Sequence, residues 1–398
     1  MNVLFIASWW PEKKILMDGI FIKEHAYSLL EKNTVIVLYI NEIKKSINPF
    51  SFFGKYQCSL VSEESNIKTY EINGSIFLRR FGNLERSLFK YINNYFINNN
   101  TLKFDIIHLN VLPSLIGKTL LSNANKIELP IVLTEHSSYY HLEIYAEKNP
   151  DKKISELKKL LSSKNLKAIM PVSKNLGDIL TNTYNVNKIN VHPIPNVAND
   201  SFSYSLGTAR NKEKFIITLA ANWTKPKNPL LFIETLILIK KNNPEIYSIM
   251  EIVWIGDGDL MDNIRKKHTE ELADLPINYT GFIKDKKTIS EFLNTSDIFI
   301  HPSSRENLPC IIIESLVSGC PVLSANINGI TELIDDTNGR MYQVDNLESF
   351  YEEFVYMFKN VKHFDRQKIS ETSQKLYSKE TIGNSIHNIY NLAISNRL

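Results

Sequence analysis

An α/β protein of two doubly wound, Rossmann-like parallel-sheet domains is the class this sequence predicts, on three observations. The chain has 398 residues, more than one hydrophobic core usually holds. Short apolar runs alternate with helical patterns, as expected of parallel strands covered on both faces. The alternation pauses once, at the polar, turn-rich stretch "PNVANDSFSYSLGTARNKEK" (residues 195–214), and then resumes.

The first series opens with "NVLFIAS" (residues 2–8), an apolar run bounded by a turn. Strand signals repeat at "TVIVLYI" from Thr34, "DIIHLN" from Asp105, "PIVLTEH" from Pro130, "LKAIMPVS" from Leu166 and "INVHPIPN" from Ile189. Helical patterns lie between them, as in "GIFIKEHAYSLLEK" (19–32) and "VSKNLGDILTNTY" (172–184). The second series runs through "FIITLA" (215–220), "MEIVWIG" (250–256), "INYTGF" (277–282), "DIFIHPS" (297–303) and "PVLSAN" (321–326). We therefore expect a first domain over 1–198 and a second over 199–378. The helical C-terminus, 379–398, is expected to pack back on the first domain. Ligands of such sheets bind beyond the carboxyl ends of the strands, so two domains facing each other would form a deep cleft.

Composition excludes several classes. Hydrophobic residues make up 43% of the chain and charged ones 22%, values of a folded globular protein and not of a disordered one. A net charge of +3 carries no nucleic-acid signature. The charge is unevenly spread: residues 1–195 hold 24 Lys and Arg against 17 Asp and Glu, a net of +7, which leaves −4 for the rest. The three cysteines, Cys58, Cys310 and Cys320, lack the spacing of a disulfide framework or a zinc site. The N-terminus has no basic region ahead of its short apolar run, and no window reaches the 18 or so apolar residues of a spanning helix. A cytoplasmic location is expected.

The stretch "RENLPCIIIESLVSG" (305–319) is the most informative. Three isoleucines favour a strand, but the punctuation favours a helix: Pro309 at the first helical position, Gly319 at the end and Pro321 beyond it. Helix is the reading adopted. Glu306 then lies in the loop before the helix and Glu314 in its second turn. The helix N-terminus, with free N–H groups and a favourable dipole, suits a phosphate. A carboxylate at Glu314 can accept two hydrogen bonds from a vicinal diol, and one at Glu306 can meet a sugar hydroxyl or a developing positive charge.

These residues carry a resemblance. "SSRENLPCIIIESLVSGCPVLSANINGITELI" resembles the donor-nucleotide segment of the retaining glycosyltransferases of family 4, which have the GT-B fold. The pattern is Glu306 and Glu314 separated by seven residues, then Gly319-Cys320-Pro321-Val322, Asn328-Gly329 and Glu332. The resemblance implies that Glu314 holds the ribose hydroxyls of a nucleoside-diphosphate sugar and that Glu306 approaches the donor sugar. Asn307 stands where the family often has Gly, and Leu308 follows it at the donor. In "LAANWTKPKNPLLFIETL" (219–236), Lys227 matches the family lysine that neutralises the diphosphate. Asn228 replaces the usual Gly after it, and Asn222 replaces the usual Arg, with Lys225 as a possible substitute charge.

In the first domain, Asp18-Gly19 resembles the family's glycine pair at a helix start, with Gly19 retaining the close backbone approach. "TEHSS" places His136 near the donor sugar or phosphate, and "IPNVAND" brings Asn196 into register as a turn and hinge residue. "WIGDGDL" (254–260) contains a literal Asp-Gly-Asp, but within this family it is a Gly-x-Gly turn, and Asp259 is expected to cap the next helix. No cofactor and no metal are expected.

The resemblance thus implies transfer of a glycosyl group to an acceptor hydroxyl with retention, by same-face attack assisted by the departing phosphate oxygen. Catalytic roles fall to Glu306, His136 and Lys227; donor binding falls to Gly19, Asn222, Lys227, Asn307, Leu308 and Glu314. Surface polysaccharide, capsule, lipopolysaccharide or glycolipid synthesis in a bacterium is the expected setting. Aromatics in 47–57 and 137–145, with the basic pairs Lys44-Lys45, Arg79-Arg80 and Lys152-Lys153, suit contact with anionic membrane carrying a lipid-linked saccharide. The rival readings are a nucleotide-sugar epimerase or sugar phosphorylase on the same fold, and a non-catalytic two-domain sugar-binding protein.

Overall fold

The computed structural model describes residues 1–11, 19–40, 56–73, 84–98, 102–140, 143–205 and 213–396. They form two compact units, one of residues 1–196 with 379–398, the other of 197–378.

In unit 1 the described residues build a seven-stranded sheet in the order β3-β4-β2-β1-β5-β6-β7. Its strands are β1 (Asn2–Ala7), β2 (Thr34–Ile40), β3 (Gln57–Glu64), β4 (Ile67–Asn73), β5 (Ile106–Asn110), β6 (Ile131–Glu135) and β7 (Leu166–Pro171). Central strands are buried along almost their whole length, which is why each reads as an unbroken apolar run. All pairings are parallel except β3 with β4.

That hairpin was not anticipated. Its turn uses Ser65 and Asn66, both left-handed at φ 48° and 66°, where a sequence signal would have been Asn-Gly. The opposite error occurs at "INVHPIPN": Lys188–Asn190 is a 3₁₀ turn, and the segment after it meets β7 through one bridge, Val191 with Ile169, and the N–H groups of His192 and Ile194, which donate to Ile169 O and Pro171 O. Pro193 and Pro195 alternate with these donors and cannot donate themselves, so the run is not a regular strand.

Helix Lys379–Ile394 belongs to unit 1 and lies on helix Ile20–Ser28. A Cβ at Gly383 would fall 1.9 Å from the Ser28 carbonyl oxygen, so this crossing requires a glycine. Tyr390 reaches the sheet and places its hydroxyl 2.5 Å from His108 Nδ1.

Unit 2 is a six-stranded, all-parallel sheet in the order β10-β9-β8-β11-β12-β13. It comprises β8 (Phe215–Ala220), β9 (Met250–Ile255), β10 (Ile277–Gly281), β11 (Ile298–His301), β12 (Val322–Ala325) and β13 (Gly339–Tyr342). The first five coincide with the apolar runs of the sequence. Its core is aromatic: Trp223 and Trp254 are fully buried with ring centroids 5.1 Å apart, and Trp223 Nε1 donates to the Ile255 carbonyl. The strand order reverses between β8 and β11, so the loops after these two strands flank the topological switch point.

Candidate active site

At the switch point of unit 2, the loop after β8 supplies Lys227 and the loop after β11 supplies Glu306. Lys227 ends a 3₁₀ turn (Lys225–Lys227), and Asn228 follows it at φ 50°, ψ 44°. Asparagine tolerates that left-handed conformation, so Asn228 takes over the geometry of the glycine the family uses there. Lys227 Nζ lies 2.5 Å from Glu306 Oε1. The side chains are 28% and 13% exposed, so the pair is largely desolvated.

A third member was missed in the sequence. His301, the last residue of β11, places Nε2 2.9 Å from the same Oε1. Burial alone would push the Glu306 carboxyl up, but the His301 hydrogen bond and the Lys227 charge outweigh it and hold it at about 2. Glu306 is therefore an ionised acceptor at neutral pH. Its main-chain carbonyl is held as well, by Asn328 Nδ2 at 2.9 Å.

Helix Cys310–Val317 carries the second glutamate. Pro309 occupies the N-cap position, one residue before the expected first helical one. The helix ends in a Schellman arrangement: Gly319 N–H donates to Leu316 O, Cys320 N–H donates to Ser315 O, and Gly319 is left-handed at φ 68°. Glu314 is 12% exposed and faces Lys286 at 3.8 Å, an ion pair with the first residue of helix Lys286–Thr295. Asn307 and Leu308 are buried at the approach to the helix. Asn307 does not adopt the left-handed conformation, whereas Asn328 does, at φ 36°.

Asn222 is not drawn into this cluster. It is exposed, and its side-chain oxygen faces Gly258. Lys225 is exposed as well. Asp259 does not cap the next helix. Leu260 holds that position, and its apolar side chain offers no acceptor for a cap; Leu260 N–H donates to Trp223 O and Met261 N–H to Gly258 O. Among the described residues, no group of three His, Cys, Asp or Glu side chains stands close enough to hold a metal ion.

Unit 1 brings Gly19 and His136 to its own switch point, between β1 and β5. Gly19 precedes helix Ile20–Ser28 at φ 74°. A Cβ there would lie 2.4 Å from Trp9 O and 2.8 Å from Trp10 N, so the close approach is to the chain's own backbone. We expect Gly19→Ala to lower stability by about 1–3 kcal/mol through the strained φ and the clash, read as a fall in the urea midpoint. Asp18 lies outside the described residues.

His136 is 8% exposed, with Phe21 and His25 against its ring at 4.7 and 5.1 Å between centroids. Burial drives its pKa well down, His25 adds to that, and the Asn196 side chain opposes as its hydrogen-bond partner. Asn196 is thus a partner of His136 as well as the last residue of unit 1. Beneath His136 sits Glu135, fully buried. It accepts from the backbone N–H of Leu112, His136 and Ser137 and from the Tyr140 hydroxyl, at 2.8–3.0 Å. Burial pushes its carboxyl up to about 7 against those four donors. Tyr140, grouped in the sequence with surface aromatics, is therefore a core residue, while Tyr145 is 60% exposed. Of the proposed membrane-facing features, Lys44-Lys45, Arg79-Arg80 and most of 47–57 lie outside the described residues.

Comparison with known proteins identifies similar families and folds. Residues 213–360 match the family described as glycosyl transferases group 1, and residues 59–202 match glycosyltransferase family 4. A galactosyltransferase of Escherichia coli, named UDP-Gal:α-D-GlcNAc-diphosphoundecaprenol α-1,3-galactosyltransferase, is 31% identical over 38% of this chain and 38% of its own length. The similarity to this relative therefore spans about two fifths of either protein. The α-monoglucosyldiacylglycerol synthase of Acholeplasma laidlawii is 22% identical over 75% of this chain and 78% of its own. Among solved structures, sucrose-phosphate synthase from Thermosynechococcus elongatus superposes with a TM-score of 0.74 at 15% identity, covering 99% of each chain. The fold is GT-B, and the chain belongs to the group 1 glycosyltransferases of family 4.

Proposed function

We propose that this protein transfers a glycosyl group from a nucleoside-diphosphate sugar to an acceptor hydroxyl, with retention at the anomeric carbon. The observation that carries the reading is the half-buried Lys227–Glu306 pair at the switch point of unit 2, ahead of the N-terminus of helix Cys310–Val317. A departing diphosphate needs a cation and N–H donors; Lys227 supplies the first and the helix start the second. Glu306, ionised and acceptor-only, orients a sugar hydroxyl and stabilises the positive charge of an oxocarbenium-like transition state. Glu314 takes the ribose, exchanging Lys286 for the diol. The departing phosphate oxygen assists removal of the acceptor proton, and no metal takes part. His136, kept neutral, offers a hydrogen bond to donor sugar or phosphate.

One relative's name gives a UDP-sugar donor and a diphosphoundecaprenol acceptor, another's gives a glycosylated diacylglycerol, and together they favour a lipid-linked or lipid acceptor. The basic helix Pro150–Leu161, with Lys152, Lys153, Lys158 and Lys159, and the exposed Tyr145 suit peripheral contact with anionic membrane at its inner face. No helix among the described residues is long and apolar enough to cross a membrane. Synthesis of a bacterial surface polysaccharide or glycolipid fits these features.

The test is nucleotide release from a panel of UDP-, GDP- and ADP-sugars, with and without lipid extract as acceptor. Acceptor-dependent release supports the transferase. Isomerised donor without acceptor would establish an epimerase, and dependence on free phosphate a phosphorylase. Within that assay, Glu314→Ala should fold and bind UDP about tenfold or more weakly by calorimetry, since it loses hydrogen bonds to a charged acceptor. Unchanged affinity would remove Glu314 from the ribose.

A further inference from the structure

The two donors that reach Glu306 both fall on one oxygen. Lys227 Nζ and His301 Nε2 converge on Oε1, at 2.5 and 2.9 Å, and among the described residues no hydrogen bond reaches Oε2. An ionised carboxylate accepts and does not donate, so His301 carries its proton on Nε2. His301 is 2% exposed and sits on a strand end, a rigid position from which to fix a neighbour. Lys227, by contrast, is a flexible side chain on a loop, and a second anion nearby would compete for it.

We propose that His301 is the positioning residue of Glu306. Its Nε2–H pins Oε1 and leaves Oε2 directed to a hydroxyl of the donor sugar, including when the diphosphate draws Lys227 away. The assignment rests on the donor-site reading above and extends it. With Lys227 alone, the carboxylate would follow the ammonium toward the diphosphate and lose its aim at the sugar. With His301 in place, one oxygen stays anchored through the reaction and the other stays available. The groups facing His301 at this point are Glu306 itself and, across it, Lys227; Asn328 Nδ2 holds the Glu306 main chain independently. A constraint of this kind acts on the transition state more than on ground-state binding, because orientation of the reacting ring is what it supplies.

Two variants of the full chain separate positioning from mere packing. His301→Leu removes the donor, and His301→Gln keeps an N–H of similar reach. With UDP-glucose, UDP-galactose and UDP-N-acetylglucosamine as probes, His301→Leu should lose roughly tenfold to hundredfold in kcat while KM for the donor stays within about twofold. His301→Gln should recover most of the loss. A second readout needs no turnover: the Glu306 carboxyl resonance in protein carrying carbon-13 glutamate, identified by its disappearance in Glu306→Gln. At pH 5 it should be fully ionised in the wild type and partly protonated in His301→Leu. Equal loss in the Leu and Gln variants, both folded by circular dichroism, overturns the proposal. So does a carboxyl that titrates identically in wild type and His301→Leu. If wild type releases nucleotide from none of these probes and from none of the wider panel of UDP-, GDP- and ADP-sugars with acceptor, the transferase reading fails, and the carboxyl titration alone decides the His301 assignment.

Discussion

Lys227→Ala is expected to lower kcat by about 10²–10³, the cost of removing one charge-stabilising donor from a desolvated site. The expectation is at the high end of what one lysine usually commands, for a reason visible in the chain. Where the family has an arginine as second cation, this protein has Asn222, which is exposed and faces Gly258. Lys225 is on the same 3₁₀ turn as Lys227, but it is exposed, and solvent screens its charge. On the proposed reading, Lys227 would therefore be the main cation of this loop facing the leaving diphosphate. Lys225→Ala should change kcat by no more than about twofold, and Lys227→Arg should restore only part of the loss, since a planar fork does not reproduce a point charge. Steady-state nucleotide release checks all three, with thermal melts to confirm folding. Equal losses for Lys225→Ala and Lys227→Ala would show that the charge at the diphosphate is not localised on Lys227.

This dependence was partly legible in the sequence. Lys227, Glu306 and Glu314 are spaced along two β–loop–helix units whose apolar runs announce their strands, and the helix between the glutamates is bracketed by Pro309 and Gly319. His301 was not legible. A histidine at a strand end reads as a core residue, and nothing local says that its ring turns toward a carboxylate five residues on, around a loop. The Lys286–Glu314 pair joins neighbouring helices and leaves no mark at short range. Asparagine was a weak signal in both directions: Asn228 takes the left-handed conformation of the glycine it replaces, and Asn307 does not. In unit 1 the polar edge strand β3 carries no apolar run, so its hairpin was invisible, while "INVHPIPN" looked like a strand whose prolines forbid one.

Unit 1 is expected to be markedly less stable at pH 5 than at pH 7.5, because it buries histidines that burial keeps neutral. His25 is fully buried, and burial pushes its pKa down to about 4, against smaller opposing pulls from the Pro195 backbone and the Glu24 charge. His108 lies between two hydroxyls, Tyr390 at 2.5 Å and Thr134 at 2.7 Å, and burial drives it well below the ordinary value, as it does His136. A histidine whose folded pKa is depressed contributes stability that is present above the unfolded value, near 6.5, and is lost as pH falls below it. From pH 7.5 to pH 5 each of the three gives up about 2 kcal/mol, roughly 6 in total. Glu135 works the other way. Its carboxyl is raised to about 7, so between that value and 4.5 the folded state holds a proton the unfolded state has lost, and stability rises as pH falls. That offsets roughly 2 kcal/mol and leaves a net loss of about 4, a large share of the 5–15 kcal/mol typical of a domain. Peptide-resolved hydrogen exchange at the two pH values, corrected for intrinsic rates, should show β5 and β6 losing far more protection than β8 and β11. Equal protection of unit 1 at both values would mean that these histidines reach water, or that their charge is accepted, in the folded protein. It would then remove the ground for keeping His136 neutral as a hydrogen-bonding partner of the donor.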